Sequence, residues 1–444
     1  MNYIEIKDFF DKLDEHTEQE ILTVIQYINK NYRSNYNWLL MQEFIERIFK
    51  LKNIDKSKIL YELFKKESKF FWWGEKLDIP ERLKFGIEIE VANLPLNTIR
   101  SAFESNTITD ILKILGVPTD ISNQIVQNSD FEKKNEPTKW IFSREGEGLA
   151  YDESEASSPI LKNNVFDLNQ IVAICTLLKA LNAQLHGGTG LHINLGVDYL
   201  ECNEKAIENI LRIWGECEEL FFKMANREGE TIRIGAHQMA TPIKENIQNF
   251  FESDGSITLK TEEDMVKFLY QIQARSRMDT IIGWSDFGKE PDLEYELYCA
   301  KTDEQRFKVY KMYNDEIKKR ADENDKVRFT SINFNHMEWN SDTPGRIEIR
   351  IFNSSLDPEI IFQDLLLVGK IFEVSLRNAK DSNYKKDEFN RLTLHNVTEN
   401  DKVDNLLNLL FDKSAQRIIF KKRWQSVKKE NYKTYESGKD TFER

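Results

Sequence analysis

Hydrophobic and polar residues alternate in three short segments of the chain, over 85–91, 191–195 and 346–351, the last within a strand predicted over 346–352. A period of two residues is typical of a β-strand with one buried face, because successive side chains point to opposite sides of the strand. The same reasoning predicts a hairpin over 139–161 and a further strand over 327–337. The chain therefore contains several strands that could pair in one sheet.

Apolar residues recur every three or four positions through most of the remaining chain, which predicts amphipathic helices. The first eighty residues are helical by this criterion, and Thr17 and Glu20 are spaced as a capping box at the start of one helix. Longer helices are predicted over 165–178 and 203–226, and another begins at Pro358, since proline suits the first helical position.

Helices of varied length separate the predicted strands, and some of the strands pair as hairpins. This order predicts an α+β fold, with a mostly antiparallel sheet flanked by helices. We divide the chain into a helical N-terminal module (1–80), a central domain (81–380) and a helical C-terminal extension (381–444). We expect the N-terminal module to pack on the rest of the protein, and the docking of a partner is its alternative role.

The charge balance excludes some classes of partner. The chain carries 62 Lys and Arg against 75 Asp and Glu, a formal net charge of −13, and such a field repels polyanions. We therefore expect neither a nucleic acid nor a membrane as partner. No apolar stretch approaches the ~20 residues of a membrane span, no secretory leader is evident, and the four cysteines form no CxxC pair. These features predict a reduced, cytoplasmic protein.

The polar faces of the three alternating strands carry chemically reactive side chains. Each strand presents two of them on one face, at i and i+2: Glu88 and Glu90, His192 and Asn194, and Glu348 and Arg350. An antiparallel sheet with one solvated face gives the same alternation, which is the simpler interpretation of any single strand. If the three strands are neighbours, however, several carboxylates and an imidazole converge, and a cation must neutralise them.

The chemistry of this set favours particular ligands. Oxygen donors with a single imidazole suit Mg²⁺ or Mn²⁺ better than zinc. Arg350 lies two residues from Glu348 and suits phosphate oxygens, because its guanidinium can bind them with two parallel hydrogen bonds. A metal and an arginine together are the groups needed to transfer a phosphoryl group. No P-loop or Rossmann glycine motif is present, so a nucleotide would be bound in another way.

Four segments carry a resemblance to a known enzyme family. They resemble, in order, the successive motifs of the amidoligases, and they are FGIEIEV at 85–91, EASSPIL at 155–161, GGTGLHINLG at 187–196 and GRIEIRIFNSSLDPEII at 345–361. Amidoligases are relatives of glutamate–cysteine ligase and glutamine synthetase that join carboxylates to amines with ATP. The resemblance implies a glutamine-synthetase-like fold, in which a curved, mostly antiparallel sheet holds metal and ATP on its concave face.

The resemblance also implies a metal cluster at the matching carboxylates. Glu88 and Glu90 would bind different Mg²⁺ ions of that cluster. Glu155 would join the ion at Glu90, and His192 and Glu348 would complete the site at Glu88. The family's acidic residue upstream of the EASSP-like motif has two counterparts, and both stay open as metal ligands: Glu145 and Glu147.

Further residues are implied at the nucleotide and the substrates. Arg350 would hold the transferred phosphoryl group, with Glu348 as the second catalytic residue. The remaining residues expected to bind cofactor or substrate are His192, Asn194, Arg227, Arg233 and Asn333. Asn194 stands where many relatives carry a second histidine, so hydrogen bonding is its alternative role. Arg227 and Arg233 lie in an arginine-bearing insert, for which a charged surface loop is the alternative.

The resemblance implies a ligase that uses ATP and Mg²⁺, with Mn²⁺ as the alternative metal, to form an amide bond through an acyl phosphate. Its substrates would be small molecules, peptides or a protein. Two alternatives stay open: a phosphotransferase with the same metals and ATP, and a non-enzymatic partner-binding protein on a degenerate ligase scaffold. The mass of the product distinguishes the phosphotransferase from the ligase. Absence of nucleotide binding would favour the non-enzymatic scaffold over both enzymes.

Overall fold

The computed structural model of the protein consists of helices and one mixed sheet. It describes residues 3–31, 38–52, 54, 56–65, 69–131, 136–145, 153–185, 188–225, 240, 242–252, 257–269, 272, 302, 305, 307–308, 311, 330–334, 336–337, 345–394 and 397–426. Among these residues, no helix has both the length and the apolar character that crossing a bilayer requires.

The helices of the described residues, in chain order, are α1 (Tyr3–Asp11), α2 (Glu18–Asn31), α3 (Trp38–Lys50), α4 (Lys56–Phe64), α5 (Leu96–Glu104), α6 (Thr107–Leu115), α7 (Thr119–Gln127), α8 (Val165–Ala180), α9 (Glu204–Ala225), α10 (Lys244–Glu252), α11 (Glu262–Leu269), α12 (Pro358–Lys380), α13 (Lys386–Leu392), α14 (Glu399–Leu410) and α15 (Ser414–Gln425). The strands are β1 (Lys84–Ala92), β2 (Ser129–Phe131), β3 (Trp140–Glu145), β4 (Glu153–Ser157), β5 (Leu161–Lys162), β6 (Gly190–Gly196), β7 (Ile332–Asn333) and β8 (Arg346–Asn353).

All of these strands belong to a single sheet. Its order is β2-β3-β4-β1-β6-β8-β7, with β5 paired to β1 beside β4. The pairs β1–β4, β1–β5, β3–β4 and β7–β8 are antiparallel, and β2–β3 is parallel. The predicted α+β class, with a mostly antiparallel sheet flanked by helices, is therefore confirmed. The predicted hairpin is also confirmed, since β3 and β4 pair antiparallel.

The chain divides into two compact units. The first comprises Met1–Leu191 and Ser354–Phe362, and the second comprises His192–Asn353 and Gln363–Arg444. The division falls inside β6, so Gly190 and Leu191 belong to the first unit while the strand continues in the second from His192. The domain boundaries predicted at residues 80 and 380 stay predictions.

Within the first unit, β1 has the alternation that its sequence predicts. Ile87 and Ile89 are fully buried on one face, whereas Glu88 and Glu90 are half-buried on the other. Helix α2 begins with the predicted capping box. The Thr17 amide donates to the Glu20 carboxylate at 2.8 Å, and the Glu20 amide donates to the Thr17 hydroxyl at 3.3 Å.

The elements of the second unit surround α9, which packs against β8, α10, α14 and α15. Its buried face includes Ile210, Trp214 and Phe221, as the helical period of its sequence predicts. The strand predicted over 327–337 is shorter in the structure. Strand β7 covers only Ile332–Asn333 among the described residues, and residues 327–329 lie outside them.

Candidate functional site

Three carboxylates project from one face of the sheet in the first unit, and we call them the β1–β4 carboxylates: Glu88, Glu90 and Glu155. Glu155 is buried on β4 and lies directly opposite Glu90 in the antiparallel register. Oxygen atoms of these two side chains come within 4.8 Å of each other. Like charges at directly opposed positions of two strands repel, so this pair favours a cation nearby.

Hydrogen bonds fix the first of these strands against the start of β6. The Gly190 amide donates to the carboxylate of Glu90, and the Ser354 hydroxyl donates to the backbone carbonyl of Glu90 at 2.6 Å. The Ser354 amide in turn donates to the carbonyl of Thr189 at 3.2 Å. On β4, the Ser157 hydroxyl donates to the carboxylate of Glu155. The carboxylate of Glu90 is thereby oriented by the start of β6 and that of Glu155 by its own strand, while Ser354 holds the backbone of Glu90.

A second group lies in the second unit, and we call it the β6–β8 cluster: His192, Asn333, Glu348 and Arg350. All four side chains are buried, with between 0% and 7% of each residue exposed. Glu348 is the centre of the cluster. Its carboxylate accepts hydrogen bonds from Arg350 at 2.5 Å and from Asn333 at 2.9 Å, and it lies 3.6 Å from Nδ1 of His192.

The electrostatics of this cluster follow from the burial of Glu348. A buried carboxylate is costly unless it is paired and hydrogen-bonded, and here a guanidinium and an amide meet both requirements. Glu348 and Arg350 occupy i and i+2 on β8, so their side chains point to the same face of the sheet. The pair therefore holds a positive guanidinium and a carboxylate that could ligate a metal together at one buried position.

The predicted residue Asn194 is engaged in a different contact. It follows His192 by two residues on β6 and is buried, and its side-chain oxygen accepts a hydrogen bond from Arg346 at 2.9 Å. Because the amide oxygen is already an acceptor for a guanidinium, this geometry fits the hydrogen-bonding role that the sequence left open. Its predicted contact with a cofactor stays a prediction.

Other predicted site residues fall at the edge of the described structure or beyond it. Arg227, Arg233 and Glu147 lie outside the described residues. For Glu145 the structure gives the backbone alone, which ends β3 opposite Glu153. The roles of these four predicted residues therefore stay predictions.

A buried carboxylate that the sequence analysis missed lies on α9. Glu218 accepts hydrogen bonds from the Ser331 hydroxyl, from Nε1 of Trp214 at 3.1 Å, and from the amides of Ile243 and Lys244 at 3.0 and 2.8 Å. Burial raises the pKa of Glu218, and the hydrogen bonds from Ser331 and the two amides oppose that rise. A glutamate in a helical sequence normally indicates a solvent-exposed position. The one sequence signal for burial of Glu218 is Trp214, four residues earlier on the same helix.

A cavity of about 290 Å³ in the second unit is lined by residues of α9, α12 and α13 and contains none of the predicted site residues. It includes three basic side chains, those of Lys205, Arg212 and Lys386. Glu208 pairs with Lys205 at 2.6 Å and with Arg212 at 2.9 Å, which neutralises part of that charge. The chemistry suited to a metal therefore lies with the sheet residues and not with this cavity.

Each of the two groups on the sheet can supply metal ligands. The β1–β4 carboxylates offer oxygen atoms from two adjacent strands, and ligand atoms of His192 and Glu348 lie within 4.8 Å of each other. Carboxylate oxygens with one imidazole form the donor set that Mg²⁺ and Mn²⁺ prefer. The residues present therefore fit a hard divalent cation. Compared with protein-family models, with curated proteins and with solved structures, the chain gave no match in any of the three.

Proposed function

We propose that this protein is an ATP- and Mg²⁺-dependent ligase that joins a carboxylate to an amine through an acyl phosphate. The observation that carries the proposal is the buried contact of Glu348 with Arg350 and His192 in the β6–β8 cluster. A charged pair beside an imidazole is costly in a protein interior, so a fold that served only to bind a partner would gain nothing from it. Those three residues also lie in the motifs that resemble the amidoligases.

The proposal assigns divalent ions both to the β1–β4 carboxylates and to the β6–β8 cluster. Within the first unit, ligand atoms of Glu90 and Glu155 lie within 4.8 Å of each other. Within the second unit, the same holds for ligand atoms of His192 and Glu348. The finer fold assignment, a glutamine-synthetase-like sheet with the site on its concave face, belongs to the same proposal.

Each residue would have a distinct task in the reaction. Bound Mg²⁺ would neutralise the phosphates of ATP and align them with the attacking carboxylate. Arg350 would stabilise the charge on the phosphoryl oxygens during their transfer from ATP to that carboxylate. Glu348 holds the guanidinium in position, and Asn333 holds the carboxylate of Glu348. Burial strengthens these interactions, since few water molecules compete for them.

The overall chemistry explains why ATP is needed. A carboxylate is a poor electrophile, because its charge repels a nucleophile and oxide is a poor leaving group. A carboxylate oxygen would attack the γ-phosphorus, and ADP would leave. The amine would then attack the acyl carbon and lose a proton, and inorganic phosphate would leave with the bonding electrons. The product is lighter than the sum of the two substrates by one water molecule.

The direct test combines ATP, Mg²⁺ and a panel of amino acids and peptides with the purified protein. We expect release of ADP that depends on both substrates, together with a condensed product identified by its mass. A phosphorylated acceptor would instead establish the phosphotransferase, and absence of nucleotide binding would establish the scaffold. Either result would contradict the proposed ligase.

The matched variants for this test are Glu348→Gln and Glu359→Gln. Glu348 is buried in the cluster, whereas Glu359 is exposed in the first turn of α12. Loss of a metal ligand that also orients the arginine should lower the rate of ADP release by about 100-fold or more. Glu359→Gln should leave that rate unchanged. Equal activity of the two variants would exclude Glu348 from the site.

A further inference from the structure

The carboxylate of Glu218 ties together three parts of the second unit. Its donors come from α9 itself (Trp214), from the residue before β7 (Ser331) and from the start of α10 (Ile243 and Lys244). Trp214 also donates from Nε1 to the hydroxyl of Ser331 at 3.0 Å. Glu218 is 1% exposed, so these hydrogen bonds are made in a nearly dry environment, where they are strong.

Ser331 connects this network to the β6–β8 cluster through the backbone. Its carbonyl accepts a hydrogen bond from the amide of Arg350 at 3.1 Å. Two residues later, Asn333 lies opposite Glu348 in the antiparallel register and donates to its carboxylate. Both residues at the centre of the cluster are therefore in contact with the short segment that Ser331 begins.

The length of β7 makes this anchor important. Strand β7 pairs with β8 over Ile332–Asn333, and the contacts that follow are the bond from the Arg346 amide to the His336 carbonyl and the bridge of Met337 with Gly345. The ladder is therefore short, and few backbone contacts fix its register. A shift by one residue would turn the side chain of Asn333 to the opposite face of the sheet, away from Glu348. The hydrogen bonds from Trp214 and to Glu218 hold the Ser331 hydroxyl on α9 and so prevent that shift.

We infer that Glu218 is a positioning residue for Glu348 and Arg350, acting through Ser331. The inference rests on the proposed function in assigning those two residues to a metal and phosphoryl site. Glu218 touches neither of them and takes no part in the chemistry itself. Its contribution is to keep Asn333 and the backbone of Ser331 at the distances that orient the cluster, as outer-shell groups do for metal ligands.

The experiment compares three variants. Glu218→Gln keeps the size of the side chain but removes its charge and one acceptor. Ser331→Ala removes the hydroxyl while leaving Glu218 free to hold the start of α10. Glu219→Gln is the matched control, because Glu219 is the next residue of the same helix and its side chain is 62% exposed. Circular dichroism establishes that each variant is folded.

Two readouts separate positioning from a purely structural role. The first is the affinity for Mn²⁺, which should fall by about tenfold in Glu218→Gln and in Ser331→Ala. The second is hydrogen exchange of the peptide that spans β8, measured relative to the peptide that spans β1. We expect exchange in β8 to rise about tenfold relative to β1 in both variants, with Glu219→Gln unchanged.

The outcomes are distinct. Folded Glu218→Gln and Ser331→Ala proteins with unchanged exchange in β8 would overturn the inference. If Glu218→Gln does not fold, Ser331→Ala alone decides, because it keeps the contacts of Glu218 with α10. If the unsubstituted protein binds no Mn²⁺, the proposed function fails, while the exchange of β8 still tests whether Glu218 positions that strand.

Discussion

At the scale of single residues, the most consequential contact is the one between Arg350 and Glu348. Both are buried, and the guanidinium lies 2.5 Å from the carboxylate. Such a pair adds little net stability over an apolar pair, yet the loss of one partner is costly because the other remains buried. This asymmetry allows the pair to be tested without any substrate.

The first prediction concerns the stability of the protein in the absence of divalent ions. Arg350→Ala should lower the free energy of unfolding by about 3–5 kcal/mol, because Glu348 would lose its guanidinium partner in a buried position. Adding Glu348→Gln to that variant should restore part of the loss. Urea unfolding of the two variants measures the difference. Equal stability of the single and double variants would contradict the prediction.

The second prediction concerns the thiols. Burial raises the pKa of Cys175 and of Cys217 to about 12, so at pH 8 only about one such thiol in ten thousand is ionised. Cys202 is exposed, and Cys299 lies outside the described residues. We expect the variant with Cys202→Ser and Cys299→Ser to react with a disulfide reagent only as it unfolds.

The contradictory result for the thiols would be rapid modification of this double variant under native conditions. The sequence places Cys175 and Cys217 in apolar helical patterns, which are typical of buried thiols. It gave no such indication for Glu218, which stands beside Glu219 in the same helix. One of these two carboxylates is buried and the other exposed, and the difference arises from tertiary neighbours distant in sequence, such as Ser331.

At the scale of elements, local sequence signals were informative where the determining contacts are also local. The capping box of α2 needs only residues three positions apart, and it forms as predicted between Thr17 and Glu20. The alternation of β1 likewise reflects burial of one face. Strand β8 alternates in the same way, but both of its faces are buried, because Glu348 and Arg350 on its polar face pair with each other. These features could be read from the sequence without knowledge of the sheet.

The third prediction tests the capping box. Thr17→Ala should lower the free energy of unfolding by about 1 kcal/mol, because the Glu20 amide loses its acceptor. The control is Thr23→Ala in the same helix, where the exposed hydroxyl bonds only to the carbonyl of Gln19. Alanine is the better helix former, so this control should be neutral or slightly stabilising. Equal losses in urea unfolding would contradict the role of the cap.

Elements governed by distant contacts were predicted less well. The apolar positions of α8 suggest a helix with one buried side, yet Asn169, Gln170 and Thr176 are buried as well. Their polar groups are satisfied by specific partners: Asn169, for example, accepts from the amide of Trp73 and donates to its carbonyl. Strand β7 is shorter than its sequence predicts, and Ser331 beside it is hydrogen-bonded to Glu218 of α9. Neither the buried polar residues of α8 nor the short extent of β7 follows from the spacing of apolar residues in the sequence.

At the scale of the whole molecule, the proposed function depends on the sheet, because all of the proposed metal ligands lie on its strands. Its order places β6 between β1 and β8, the three strands whose polar faces the sequence singled out. The sequence predicted which residues share a face of each strand, but it could not predict the order in which the strands pair. The main claim of the proposed function is that the β1–β4 carboxylates and the β6–β8 cluster each contribute ligands for divalent ions.

Calorimetric titration of Mn²⁺ into the protein and into two variants, Glu155→Gln and Glu348→Gln, decides whether both groups bind the metal. The control is Glu359→Gln, which is exposed. We expect the unsubstituted protein and the control to bind Mn²⁺ equally, and each of the two variants to bind it about tenfold more weakly or worse. The proposed metal site would be wrong if the unsubstituted protein binds no Mn²⁺ or if either variant binds it as tightly as the control does.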